Sequence, residues 1–137
     1  MRWTTRKLAL SVWVLFALGS FLLTGCGSGD VAPVYGTVTF EGQPLKQVTV
    51  EFYPVEGGRP GTATTDENGY YDLKYLRDTR GAKVGKNKVK IYYTVEEDDD
   101  GKTIKPPVVI PPKYNTQTEL IYDVPSGGGR IDIPLTP

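Results

Sequence analysis

From Val34 onward the chain alternates between apolar and polar positions. Val38 and Phe40 are interleaved with Thr37 and Thr39, and Val48, Val50 and Phe52 with Thr49, Glu51 and Tyr53. A period of two is the mark of a strand with one face buried and the other wet. Similar runs at 61–65, 70–75, 86–95, 118–124 and 130–135 bring the prediction to seven short strands separated by turn residues. No stretch beyond residue 33 carries the spacing of an amphipathic helix. The punctuation has a mechanism. In Glu41-Gly42-Gln43-Pro44 the glycine accepts positive φ and the proline fixes its own, and in Asp66-Glu67-Asn68-Gly69 the aspartate can bond its own backbone while Asn-Gly tolerates left-handed conformations. Seven such strands in a chain this short favour an all-β fold of two packed sheets, a β-sandwich, over a closed barrel.

The first 25 residues follow a different pattern. Residues 1–7 are basic, residues 8–23 carry no charge, and Leu23-Thr24-Gly25-Cys26 closes the run. This is the three-part layout of a secretory signal, and the uncharged stretch is short for a membrane span, which needs about 20 apolar residues. Residues 26–33 read as a short flexible tether of small and turn-forming residues, leaving 34–137 as the single domain.

The closing tetrapeptide resembles the bacterial lipobox, in which an aliphatic residue, a small residue and Gly or Ala precede the lipidated cysteine. Leu23, Thr24 and Gly25 match position for position. The resemblance implies a diacylglyceryl thioether on Cys26, cleavage before it, and a new amino group that can be acylated too. Two or three acyl chains, at about 0.8 kcal/mol per buried methylene, make attachment to a membrane effectively permanent. Gly27 stands where an inner-membrane retention signal would have Asp, so the expected location is the outer membrane of a two-membrane cell.

Composition narrows the chemistry. The chain has no histidine and one cysteine. That removes the commonest general base and zinc ligand, every Ser-His or Cys-His nucleophile pair, and any intramolecular disulfide. Without Arg2, Arg6 and Lys7 of the leader, 13 basic side chains face 16 acidic ones, a formal charge of −3. Such a balance argues against a nucleic-acid partner. No cofactor, metal site or catalytic group is indicated.

Two surface features remain. Lys86, Lys88, Lys90 and Tyr92 share one face of a strand whose other face carries Val89, Ile91, Tyr93 and Val95. They read either as protection of an edge strand or as a shallow surface for a glycan or envelope protein, with Tyr92 and also Tyr53 or Tyr70 stacking on sugar rings. Lys88, Lys90 and Tyr92 are its central candidates. The acidic run Glu96-Glu97-Asp98-Asp99-Asp100-Gly101 partly echoes an EF-hand loop, but the twelfth position is Pro107 where a bidentate Glu is needed. A solvated hairpin tip and a weak cation site are the two readings.

Gly42-Gln43-Pro44-Leu45, Val48-Thr49-Val50-Glu51-Phe52 and Thr65-Asp66-Glu67-Asn68-Gly69-Tyr70-Tyr71 resemble the carboxypeptidase regulatory-like domain, a transthyretin-like sandwich. Gly81-Ala82, Gly85, Lys88-Val89-Lys90-Ile91 and Pro111-Pro112-Lys113-Tyr114 resemble a subset found in small bacterial lipoproteins. These motifs are turns and core positions, and they imply a fold rather than an activity. Carboxypeptidases keep their zinc on a separate domain, and the transthyretin-like hydrolases use histidines and a C-terminal Tyr-Arg-Gly-Ser. This chain has no histidine and ends Pro134-Leu135-Thr136-Pro137. The expectation is a lipid-anchored, non-catalytic envelope protein in a structural or interaction role, with a carbohydrate-binding module as the alternative.

Overall fold

A computed structural model describes residues 30–137. The leader, Cys26 and its lipobox lie outside the described residues. The described chain is all-β, with thirteen strand segments and one short 3-10 turn rather than the seven strands expected. In order they are β1 (Val31–Ala32), β2 (Val34–Phe40), β3 (Gln43–Pro44), β4 (Val48–Pro54), β5 (Gly61–Thr64), β6 (Tyr70–Asp72) and β7 (Lys74–Leu76). There follow β8 (Thr79–Arg80), β9 (Ala82–Lys83), β10 (Gly85–Tyr93), the 3-10 turn at Pro112–Tyr114, β11 (Ile121–Val124), β12 (Gly129–Arg130) and β13 (Ile133–Leu135).

The excess over seven comes from two sources. Segments β1, β3, β8 and β9 are two residues long, too short to show any period. Two expected strands are also broken. The 70–75 run divides at Leu73, which is fully buried, and its halves enter different sheets: β6 pairs with β2, and β7 with β5. The 130–135 run divides because Asp132 replaces a backbone partner with its side chain. Its Oδ1 accepts from the Thr37 amide at 2.9 Å and from the Thr37 hydroxyl at 3.0 Å.

One sheet has the order β11-β10-β4-β5-β7-β8, antiparallel throughout. The other is built on β2, with β12 and β13 parallel to it on one side and β3 and β6 antiparallel on the other. A separate pair, β1 with β9, starts the domain at Val31, inside the stretch that reads as tether; Ala32 is already buried. The two sheets face each other across a core of Val34, Val38, Val48, Val50, Phe52, Tyr71, Leu73, Val89, Ile91, Val124, Ile133 and Leu135, none more than 1% exposed. Alternation in β2, β4 and β10 therefore does what the sequence predicts, placing every second side chain in this layer.

The turns follow their chemistry. Glu41 and Gly42 both have positive φ, 51° and 80°, the pattern of a two-residue type I′ hairpin closing β2 onto β3. Pro44 consequently sits in a short outer segment rather than leading straight into β4, where its missing N–H costs nothing. At the second turn, Asp66 Oδ1 accepts from the Asn68 and Tyr70 amides at 2.8 and 2.9 Å.

Asp132 gives the domain a pH dependence. Hydrogen bonding to Arg130, and next to Thr37, holds its carboxyl below the ordinary carboxylate value. The folded state thus binds its proton less tightly than the unfolded chain. Its contribution is present above the unfolded pKa of about 3.9 and is lost as pH falls through the lower folded value. The group is half-exposed, so Asp132→Asn should cost only about 1 kcal/mol at neutral pH. Urea titrations at neutral and acid pH should show that the variant has lost this part of the acid sensitivity.

Candidate functional site

Among the described residues the longest ladder pairs β4 with β10, from Tyr93 opposite Val48 to Asn87 opposite Pro54. Its inner face is Val48, Val50, Phe52, Val89 and Ile91, all fully buried. The outer face therefore presents Thr49, Glu51 and Tyr53 from β4 against Lys88, Lys90 and Tyr92 from β10. Lys90 lies opposite Glu51, Lys88 opposite Tyr53, and Tyr92 opposite Thr49.

These side chains are organised. The Tyr53 hydroxyl donates to Glu51 Oε2 at 2.8 Å, and Lys90 Nζ sits 4.8 Å from the centroid of the Tyr53 ring. The bond to the Glu51 carboxylate pushes the Tyr53 pKa up to about 12. Tyr92 is raised too, by burial first and then by the same carboxylate. Asn115 and Thr116, just past the 3-10 turn, form a wall beside the two rings. With Glu51, Tyr53, Lys90 and Tyr92 they line a shallow basin, wide open to solvent, on the outer face of the sheet.

Lys88, Lys90 and Tyr92 thus share one face, and Tyr53 joins them. Tyr70 does not. It lies on the outer face of the other sheet, its ring 6.5 Å from that of Tyr35, beside the Arg80–Asp72 and Arg130–Asp132 pairs. β10 pairs with β4 from Asn87 to Tyr93 and with β11 from Gly85 to Lys88, so Lys86 and Lys88 do not guard an open edge, while Lys90 stands beyond the end of the β11 pairing, where the edge-protection reading still applies. Val95, expected on the inner face, lies past the end of the strand and is 73% exposed. Glu51, Asn115 and Thr116 were absent from the sequence-based site; a carboxylate across a ladder and a loop more than 20 positions away leave no local signal.

No protein-family model and no curated protein matches this sequence. Among solved structures, the chain is similar to BcpA, the major pilin subunit of Bacillus cereus, with a TM-score of 0.46 at 10% identity, over 78% of this chain and 29% of that one.

The acidic run folds into a hairpin tip. Glu97 bridges Thr103, and Asp98 Oδ1 accepts from the Asp100 and Lys102 amides at 3.1 and 2.8 Å, so this carboxylate caps its own turn. Among the described residues no three His, Cys, Asp or Glu side chains gather as a metal-binding group. The base of this excursion leaves a cleft of about 180 Å³ lined by Gln47, Tyr93, Val95, Ile104, Pro106 and Pro107 among others. No helix among the described residues is long and apolar enough to cross a membrane.

Proposed function

We propose that this protein is an exported lipoprotein, fastened to the outer membrane by acyl chains on Cys26, whose β-sandwich serves a structural or interaction role without catalysis. The observation that carries this reading is the place of the only cysteine. It closes a lipobox, Leu23-Thr24-Gly25-Cys26, and the first strand of the sandwich begins five positions later at Val31. A thiol there has no disulfide partner in the chain, and acylation accounts for it. A tether this short holds the domain close against the lipid surface. The missing histidine supports a role in binding rather than turnover. Membership of the carboxypeptidase regulatory-like family is part of the same proposal, resting on the turn and core motifs quoted above.

The test is metabolic labelling with palmitate followed by mass spectrometry of the mature N-terminus. Wild-type protein should begin at Cys26 and carry two or three acyl chains. Cys26→Ala should take up no label and either retain its leader or leave the membrane fraction. An unmodified Cys26 within an intact full-length wild-type chain defeats the proposal.

A further inference from the structure

We infer that the outer face of β10 is a binding surface for an acidic polysaccharide, a sugar chain bearing carboxylates. This rests on the interaction role above and names its ligand class. Lys86, Lys88 and Lys90 alternate along one strand, so their Cα atoms stand about 6.8 Å apart on a single face. The ion pairs among the described residues join Lys46 to Glu67, Arg80 to Asp72 and Arg130 to Asp132, and none involves these three lysines. Asp123 faces Lys86 across the β10–β11 ladder without pairing with it. The result is a local cationic stripe on a domain whose overall charge is negative. Lys86 stands opposite Asp123 and Lys90 opposite Glu51, yet none of the three ammonium groups forms an ion pair, and three lysines against two carboxylates leave a surplus of positive charge on this face that fits a ligand carrying repeated negative charges.

The neighbouring groups specify sugar. Tyr53 and Tyr92 rise beside Lys90 from two strands locked by a seven-pair ladder, so the rings are held in place before any ligand arrives. Glu51 fixes Tyr53 through its hydroxyl, and Asn115 and Thr116 add amide and hydroxyl groups along the wall of the basin. Aromatic rings match the C–H faces of pyranoses, amides and hydroxyls match their hydroxyl groups, and lysines match carboxylates. A neutral glycan would leave Lys86 and Lys88 unused, while a flat layer of anionic headgroups would leave the basin and its rings unfilled. An acidic polysaccharide engages all of them.

The experiment is affinity electrophoresis of the full-length protein in neutral detergent, through gels containing polygalacturonate, alginate or uncharged dextran, with flotation on phosphatidylglycerol vesicles in parallel. Retardation is expected by at least one acidic polymer and not by dextran, weakening on the order of tenfold from low to high salt. The double variant Lys86→Gln/Lys88→Gln should bind on the order of tenfold more weakly, and Tyr92→Ala should weaken binding by a similar factor. Unchanged circular dichroism and melting would show that both variants remain folded, and Lys46→Gln, at a lysine away from β10 that pairs with Glu67, serves as the charge control. No retardation by either acid polymer, equal retardation by dextran, flotation without polymer binding, or binding indifferent to the lysine and Tyr92 substitutions would each overturn the assignment. None of these outcomes touches the acylation of Cys26, which is measured separately.

Discussion

Replacing Tyr71 with alanine should destabilise the domain by about 3–5 kcal/mol, a large share of the 5–15 kcal/mol that holds a domain of this size together. Tyr71 is 1% exposed in β6, and its ring lies 6.3 Å from that of Phe52 in the opposite sheet. It therefore spans the core, and truncation leaves a cavity that both sheets line. Its hydroxyl does a second task, donating to the Ile131 carbonyl at 2.5 Å, at the break between β12 and β13. Tyr71→Phe keeps the ring but strands that carbonyl, a loss of about 1–3 kcal/mol. Burial raises the Tyr71 pKa above its ordinary value near 10. The contribution is thus whole below that value and is lost as pH rises beyond it, because the unfolded chain gives up the proton first. Denaturant titrations at neutral and strongly alkaline pH should show a steeper alkaline loss in wild type than in Tyr71→Phe.

Gly81→Ala should be comparably damaging, about 4 kcal/mol, although it adds a single methyl group. Gly81 links β8 to β9 at φ 111°, a conformation that side chains rarely adopt, and strain there costs about 1–3 kcal/mol. A Cβ would also be driven into the carbonyl of Ala32, main chain that cannot turn aside as a side chain does, which adds the cost of overpacking, about 1–3 kcal/mol. Gly42→Ala is the control. Its φ is also positive, at 80°, but nothing lies within 4 Å of the added atom, so only backbone strain of about 1 kcal/mol should appear. Equal melting temperatures for the two variants would show that the Ala32 contact yields freely.

Strand positions were readable where two faces differ chemically over five or more residues, as in β2, β4 and β10. The pattern faded where strands shrink to a residue pair. Val31-Ala32 reads as linker because Pro33 and the glycines around it dominate the composition, yet its backbone pairs with β9. Leu73 looks like one more apolar position in an alternating run, whereas it is the point at which the chain crosses from one sheet to the other. Neighbour relations were not legible at all. Alternation shows that Lys86, Lys88 and Lys90 share a face but carries no information on strand order, so the same three lysines read equally well as an edge or a centre. Glu51 was visible as a polar position in β4; that it would stand opposite Lys90 and hold Tyr53 is a matter of register. The wall formed by Asn115 and Thr116 depends on where a long connection returns, which no local pattern encodes.

The parallel pairing of β2 with β12 and β13 sets the order in which the molecule can be completed. The bond from the Thr37 amide to Asp132 joins positions 95 apart, and the central strand of that sheet stays bare along one side until residues 129–135 arrive. A polypeptide delivered N-terminus first, whether from a ribosome or through a translocation pore, consequently remains open to chaperones until residues 129–135 have emerged. Contacts this distant also slow the final closure relative to a fold built from local hairpins.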